Sequence, residues 1–281
     1  MERIQEAIAK ARAERDALPP GQIMSRAPAV PQPGTPSPVA PDGFAEAWQE
    51  LPILNVDRKR AARHHLVSHV GGTGAAEIDG IRTRLLQHLA ARDFRKVAIV
   101  SPTPAAGKTT LALNLGFSLG RLADQRTLVA DTDLRRPQMA KVLGITRQHA
   151  FDRVLAGSQP LSENAMRVGD NLAFATTHGF VSNSAELLQG RSTRIALDTI
   201  QATYAPTVML FELPPLLSCD DAMAFLGHVD CALIVAAAER NSTKDVDRCE
   251  RDVASQTTVL GVVLNRCRHL DRSDGYYDHY G

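Results

Sequence analysis

The 281-residue sequence has four cysteines, 5% aromatic residues and no long apolar run. The cysteines (Cys219, Cys231, Cys249 and Cys267) form no C-x-x-C pair and have no histidine at zinc-ligand spacing, which argues against a disulfide scaffold and a structural zinc site. The longest apolar run, near residues 231–238, is far shorter than the roughly 20 residues that a membrane-spanning helix needs. The N-terminus also lacks the apolar core of a signal peptide. These absences predict a soluble cytoplasmic protein.

The net charge has no dominant sign, because 32 lysines and arginines oppose 31 aspartates and glutamates. A formal net charge of +1 gives no strong electrostatic attraction to nucleic acid or to an anionic membrane. We therefore expect no nucleic acid among the partners. The length suggests one large domain, or a domain with appendages.

Proline is unevenly distributed, with 8 of the 16 prolines between positions 19 and 41. This composition predicts a disordered linker over residues 19–43. Before it, apolar residues at helical spacing predict a short amphipathic helix over residues 1–18, which is either solvated or a docking peptide. After it, we expect an irregular segment over residues 44–76. Four of its apolar residues could pack on the body: Trp48, Leu51, Ile53 and Leu54.

From residue 77 to residue 269, short apolar runs alternate with segments of helical length. The runs predict strands over 96–100, 127–130, 172–175, 208–211, 231–236 and 260–264. Helices are predicted over 78–89, 109–122, 185–204, 222–228 and 243–255. This alternation predicts an α/β fold with a mostly parallel, doubly wound sheet. In such sheets, sites lie at the carboxyl ends of the strands.

A phosphate-binding loop follows the first predicted strand. Gly107 lets the backbone curl around a phosphate, Lys108 neutralises the β and γ oxygens, and the Thr109 hydroxyl can ligate Mg²⁺. The first glycine of the consensus is missing, since Pro102 stands six residues before Lys108. The strand before and the helix after this loop strengthen the prediction of a phosphate-binding loop of the P-loop NTPase type. The predicted nucleotide-binding residues of this loop are Pro104, Ala105, Ala106, Gly107, Lys108, Thr109 and Thr110.

Polar residues also end three later strands. Asp131 and Asp133 lie two residues apart, so their carboxylates should point to the same side, where Mg²⁺ or an attacking hydroxyl would lie. Glu212 ends a buried strand at the place where phosphate-loop enzymes have their metal-side acid, but its side chain is one methylene longer than that of aspartate. Asn265, followed by Arg266, can offer a donor and an acceptor to an adenine edge.

The predicted mobile tail, residues 270–281, carries three of the four tyrosines of the chain: Tyr276, Tyr277 and Tyr280. A terminal polar segment has no core into which aromatic rings could pack. Phenol hydroxyls on such a tail suit phosphoryl acceptance, and the added charge could switch an interaction. The alternative is that the tail docks on a neighbouring surface through its rings.

These motifs, in this order, resemble the bacterial tyrosine kinases (BY-kinases) of capsule and exopolysaccharide synthesis over roughly residues 77–281. The resemblance implies that Lys108, Asp131 and Asp133 are catalytic, with Asp131 as the metal-side acid or as the base for the tyrosine hydroxyl. It implies an ATP-dependent protein tyrosine autokinase in which Lys108 and Thr109 bind ATP and in which Asn265 and Arg266 contact the nucleotide. It also implies that Thr109, Asp131 and Glu212 hold Mg²⁺ and that the tail tyrosines are autophosphorylated.

The resemblance also implies partners. They are a membrane chain-length regulator on a separate chain, which would place this protein at the inner membrane, a cognate phosphatase, and further copies of the chain acting in trans. The chain departs from the family in the helix that often carries Glu-x-x-Arg-x-x-Arg, because Ala76 and Asp79 stand before Arg82.

Two other functions stay open. A non-catalytic ATP-binding scaffold of a polysaccharide export complex is favoured by Glu212 and by the altered helix. A positioning or partition-type ATPase would carry a second lysine five residues before Lys108, and Thr103 at that position opposes it.

Overall fold

The computed structural model describes residues 42–267, which belong to one compact unit. The predicted helix over residues 1–18, most of the predicted linker and the tyrosine-rich tail lie outside the described residues.

The described part of the chain forms one seven-stranded sheet with helices on its faces. The strands are β1 (Lys96–Val100), β2 (Thr127–Asp131), β3 (Ala165–Val168), β4 (Leu172–Ala175), β5 (Val208–Glu212), β6 (Cys231–Ala237) and β7 (Thr258–Asn265). The helices are α1 (Asp42–Gln49), α2 (Arg58–Arg63), α3 (Val67–Val70), α4 (Ala75–Ala90), α5 (Lys108–Leu119), α6 (Met139–Leu143), α7 (Phe151–Leu155), α8 (Ser184–Gln189), α9 (Arg191–Tyr204), α10 (Asp221–Leu226) and α11 (Thr243–Ala254). A 3₁₀ turn spans Leu161–Glu163.

The strand order is β3-β4-β2-β5-β1-β6-β7, and β3 alone of these strands runs antiparallel to its neighbour. The predicted doubly wound, mostly parallel sheet is therefore confirmed. Apolar side chains fill both faces of the sheet, as a parallel sheet requires. One face buries Trp48, Phe151, Phe211 and Phe225. The other buries Leu113, Leu115 and Leu119 of α5.

The strand register brings the ends of three strands together. Glu212 of β5 lies opposite Ile99 of β1 on one side and opposite Asp131 of β2 on the other. The loops that follow β1, β2 and β5 therefore leave the sheet next to one another. Because parallel strands end at the same edge, the residues of these loops can build one site.

Helix α5 approaches the sheet unusually closely, and glycine makes this possible. A Cβ atom at Gly116 would lie 2.6 Å from Cγ2 of Val129 on β2. The absent side chain lets the helix that begins at Lys108 lie directly on the strand that ends at Asp131. This close packing sets the position of the phosphate loop relative to the acidic loop.

Two parts of the chain differ from the sequence-based expectation. The single helix predicted over residues 185–204 is wrong, because Gly190 is extended (φ −65°, ψ 153°) and separates α8 from α9. The sequence reading also missed β3, whose four residues are too few to show an alternating pattern.

Residues 42–70 contain three short helices and pack into the core of the sheet, although residues 44–76 were expected to be irregular. Trp48 and Leu51 are 1% exposed, whereas Ile53 is 58% exposed and does not pack as expected. Around Ile53, the Leu54 N–H donates to the Arg167 carbonyl (2.7 Å) and the Arg167 N–H donates to the Pro52 carbonyl (2.8 Å). The segment thereby covers the edge of β3.

Among residues 42–267, no helix combines the length and the apolar character that a membrane span requires.

Trp48 should anchor the N-terminal segment to the rest of the core. We expect Trp48→Ala to lower the free energy of unfolding by about 3–5 kcal/mol, because it removes a fully buried aromatic ring. The exposed Ile53 is the matched control, and Ile53→Ala should change stability by less than about 0.5 kcal/mol. Urea unfolding of both variants measures this. Equal losses in the two variants would contradict the packing described for this segment.

Candidate active site

The loops after β1, β2 and β5 enclose a cavity of about 580 Å³ at the carboxyl edge of the sheet. The phosphate loop contributes Pro104, Ala105, Lys108 and Thr109 to its wall, the acidic loop contributes Asp133, Arg135, Arg136 and Gln138, and the segment after β5 contributes Glu212, Pro214, Pro215, Ser218 and Cys219. The fold thus brings six of the twelve predicted site residues in the described part of the chain to one cavity: Pro104, Ala105, Lys108, Thr109, Asp133 and Glu212.

The phosphate loop has the backbone curl that its glycine predicted. Gly107 has φ +96°, a conformation that strains other residues, and a Cβ atom there would lie 2.2 Å from Nδ2 of Asn265, so a larger residue would force the Asn265 side chain to move. Ala105 also has a left-handed φ of +61°, which a residue other than glycine adopts at some cost. Lys108 is 6% exposed and begins α5, so the helix N-terminus and the lysine both favour an anion in the loop.

Glu212 is buried beside the phosphate loop. Its Oε1 accepts a hydrogen bond from the Thr109 hydroxyl, and its Oε2 has no hydrogen-bond partner among the described residues. Burial raises the pKa of Glu212 to about 7, against the opposing effects of the Lys108 charge and the Thr109 hydrogen bond. This carboxyl group therefore keeps its proton to a higher pH than a solvated glutamate does.

Asp131 lies behind the cavity wall and is fully buried. Its Oδ2 accepts the N–H groups of Gln138 and Met139, both at 3.0 Å, whereas Oδ1 is buried with no partner in the described part of the chain. Burial and then the neighbouring Glu212 charge raise the pKa of Asp131 well above its usual range. Oδ2 of Asp131 thus binds the backbone at the start of α6, and Oδ1 remains available to bind a ligand.

Asp133, rather than Asp131, lines the cavity. Its Oδ1 accepts the Arg136 N–H at 3.0 Å. Burial raises the pKa of Asp133, and the nearby Lys108 charge lowers it in part. The two aspartates of the acidic loop therefore occupy different environments, one behind the wall and one on its surface.

The side chains around Glu212 fit a magnesium ion. Two buried carboxylate oxygens without partners, Oδ1 of Asp131 and Oε2 of Glu212, belong to residues that face each other in the strand register, and the Thr109 hydroxyl is bound to Glu212. Oxygen ligands of this kind are those that Mg²⁺ prefers. No group of three or more His, Cys, Asp or Glu side chains in residues 42–267 could hold a metal by itself. This suits Mg²⁺, which usually binds one or two carboxylates together with substrate phosphates.

A second cavity of about 500 Å³ also borders the phosphate loop. Its wall includes Gly107, Thr110, Asn265 and Arg266. Asn265 was expected to offer its amide to an adenine edge. In the structure, its Nδ2 donates to the Ala106 carbonyl (2.9 Å) and its Oδ1 accepts the Arg266 N–H (2.8 Å), so it also fixes the phosphate loop.

The sequence reading missed His65, which lines the same cavity. Asn114 on α5 holds this segment in place: its Nδ2 donates to the His65 carbonyl (2.9 Å) and its Oδ1 accepts the Ser68 N–H (2.9 Å). Asn114 is 2% exposed. In the sequence, Asn114, one turn after Thr110, was the residue that could have pointed to a buried contact at this place. Nothing in the sequence showed that residues 65–68 would be the segment that packs against it.

Named proteins of similar sequence are kinases. The chain is 25% identical to the tyrosine-protein kinase Etk of Escherichia coli over 201 residues, which are 71% of this chain and 27% of Etk. It is 25% identical to the tyrosine-protein kinase CpsD of Streptococcus pneumoniae over 182 residues, which are 62% of this chain and 76% of CpsD. No protein-family model matches the chain.

Solved structures agree with the sequence matches. The kinase domain of VpsO is 28% identical, with a TM-score of 0.60 over 69% of this chain and 96% of that one. This chain is a relative of the bacterial tyrosine kinases. The resemblance to bacterial tyrosine kinases predicted from the motifs is therefore confirmed. The cell division ATPase MinD of Pyrococcus furiosus, at 24% identity and a TM-score of 0.52 over 63% of this chain and 74% of MinD, shares the fold alone.

The raised pKa of Glu212 makes stability depend on pH. Because the folded state binds this proton more tightly than the unfolded chain, the stabilisation is complete below about pH 4.5 and is lost as the pH rises through about 7. We expect Glu212→Gln, which stays neutral, to be more stable than the unchanged protein at pH 8, by on the order of a few kcal/mol, and nearly equal to it at pH 4.5. Urea unfolding without nucleotide or Mg²⁺ at both pH values measures this.

The exposed Glu250 provides the control for the Glu212 experiment. Glu250→Gln should show no such dependence on pH. A Glu212→Gln advantage that stayed constant between pH 4.5 and 8 would mean that the buried carboxyl group does not titrate in this range.

Proposed function

We propose that the chain is an ATP-dependent protein tyrosine autokinase that phosphorylates its own tail at Tyr276, Tyr277 and Tyr280. One observation carries the proposal: Lys108, Thr109 and Glu212 line one cavity, and two buried carboxylate oxygens, Oε2 of Glu212 and Oδ1 of Asp131 behind the wall, have no partner among the described residues. The names of the relatives, which are tyrosine-protein kinases, support the choice of tyrosine as the acceptor.

The residues around the two cavities have different roles in phosphoryl transfer. Lys108 and the N-terminus of α5 neutralise the β and γ phosphates of ATP. Thr109, Asp131 and Glu212 would hold Mg²⁺, and the ion would supply positive charge to the phosphate oxygens. Asn265, Arg266 and His65 lie where they can contact the base and hold the nucleotide.

Asp133 is the group on the cavity wall that can take the proton from the incoming tyrosine hydroxyl. The phenol oxygen then bonds to the γ phosphorus, the bond to ADP breaks, and the proton stays on Asp133. The raised pKa of Asp133 makes its carboxylate a better proton acceptor than a solvated one. Most of the rate enhancement would come from positioning and charge neutralisation.

The family resemblance extends the proposal to the cellular role. Tail phosphorylation would regulate the polymerisation and export of capsule or exopolysaccharide. The chain would act with a membrane chain-length regulator on a separate polypeptide, which would hold it at the inner membrane, and a phosphatase would reset it. Tail tyrosines of one copy would enter the site of another.

Incubation with Mg·ATP should place phosphate on the tail. We expect intact and peptide mass spectrometry to find phosphate on Tyr276, Tyr277 or Tyr280 of the unchanged protein and none on Lys108→Met, because the variant cannot neutralise the transferred group. Nucleotide binding is measured separately. ATP binding with an unmodified tail would favour the scaffold. Steady phosphate release with an unmodified tail would favour the positioning ATPase.

Substitution of Asp133 and substitution of Asp131 should have different effects on tail phosphorylation and nucleotide binding. We expect Asp133→Asn to retain Mg·ATP binding and to slow tail phosphorylation by about 100-fold or more, because it removes the proton acceptor. Asp131→Asn should instead weaken the dependence of nucleotide binding on Mg²⁺. Titration of nucleotide with and without Mg²⁺, alongside tail labelling, separates the two. Full tail labelling by Asp133→Asn would disprove the role given to Asp133.

A further inference from the structure

The acidic loop places an arginine on the cavity wall that the mechanism above does not use. Arg135 lines the cavity, and its side chain is 38% exposed. Its Nε donates to Oδ1 of Asp221 at 2.7 Å, while Nη2 lies 3.8 Å from Oδ1 of Asp220. No hydrogen bond from residues 42–267 reaches its two terminal nitrogens. The planar end of this side chain is therefore free to bind another group.

Asp221 fixes the position of the Arg135 side chain. It is fully buried at the start of α10, and its Oδ2 has no partner in the described part of the chain. Because a buried carboxylate without a cation is costly, Asp221 resists any movement of Arg135 away from it. The contact uses Nε, which leaves the paired terminal nitrogens of the guanidinium pointing away from the bond. Such a fork binds a carboxylate or a phosphate with two parallel hydrogen bonds.

Arg135 is bound to a residue outside the phosphate loop, since its Nε donates to Asp221 at the start of α10. Cys219, which follows β5 and lines the same cavity, is close enough for the Arg135 charge to act on its thiol, whose pKa is raised first by burial and then by Asp221. The phosphate loop already provides Lys108 and the N-terminus of α5 for the phosphates of the nucleotide. The acceptor is therefore the more favoured source of a ligand for Arg135.

The tail sequence offers a ligand of the right charge. Asp274 and Asp278 flank the tyrosines, so that each of Tyr276, Tyr277 and Tyr280 has an aspartate within two residues. Asp220, whose side chain is 80% exposed, pairs only loosely with Arg135 and could be displaced by such a carboxylate.

We propose that Arg135 selects the acceptor: its terminal nitrogens bind the carboxylate of an acidic residue within two positions of the tyrosine, and Asp221 acts as the positioning residue for Arg135. The inference rests on the proposed kinase function and adds a substrate class to it, tyrosines with neighbouring aspartate or glutamate. Arg135 thereby orients the acceptor, while Asp133 takes its proton.

Two synthetic peptides test the proposal with the full chain as the enzyme. One has the tail sequence of residues 271–281, and the other has asparagine in place of Asp274 and Asp278. We expect Arg135→Lys, which keeps the charge but loses the fork, to raise KM for the first peptide by about fivefold to tenfold. The kcat, the KM for ATP and the KM for the second peptide should not change.

Two further variants control for stability and for charge. The double variant Arg135→Gln with Asp221→Asn removes both members of the buried pair and so avoids an unpaired buried charge. It should lose the preference for the acidic peptide while keeping the KM for ATP. Arg248→Gln changes an exposed arginine on α11 and should behave like the unchanged protein.

The outcomes separate the two proposals. Equal effects of Arg135→Lys on both peptides, or a raised KM for ATP, would overturn the role of Arg135 as an acceptor-binding residue and leave the kinase function intact. If the unchanged protein binds Mg·ATP but phosphorylates neither peptide nor its own tail, both proposals fail.

Discussion

Burying Asp131 and Glu212 side by side costs free energy, because two carboxylates that face each other across neighbouring strands repel and lose their hydration. The protein offsets part of this cost with the N–H groups at the start of α6, with the Thr109 hydroxyl and with the charge of Lys108. Each of these contacts requires a particular loop to be in place. The phosphate loop, the acidic loop and the segment after β5 are therefore linked through this pair.

Close packing of α5 supports this arrangement. Gly116 lets the helix lie directly on β2, Gly107 leaves room for Asn265, and Asn265 in turn holds the phosphate loop through Ala106. Asn114 extends the network to residues 65–68, so the N-terminal segment becomes one wall of the cavity beside the loop. The cavity beside the phosphate loop thus depends on contacts between segments that are far apart in the chain.

Sequence reasoning predicted the repeated β and α elements well, since a strand that is buried on both faces must be apolar throughout, and β1, β2, β4, β5 and β6 all show this. Sequence reasoning was wrong at places where the local pattern of apolar and polar residues gives little information. Strand β3, with four residues, is too short to show a periodic pattern. The break at Gly190 depends on a backbone conformation that helix propensity does not reveal. Ile53 was expected to pack, yet pairing of its backbone with Arg167 leaves its side chain in solvent.

Motif chemistry was enough to predict the resemblance to bacterial tyrosine kinases, because the signature of Gly107, Lys108 and Thr109 lies within three consecutive residues. The different environments of Asp131 and Asp133, the place of His65 and the support of Arg135 by Asp221 were not accessible in this way. Each depends on a contact between residues 40 or more positions apart, or on whether a side chain lies behind a wall or on its surface. These contacts and environments are determined by how the helices and loops pack on the sheet, and the periodicity of residues along the chain gives no information about them.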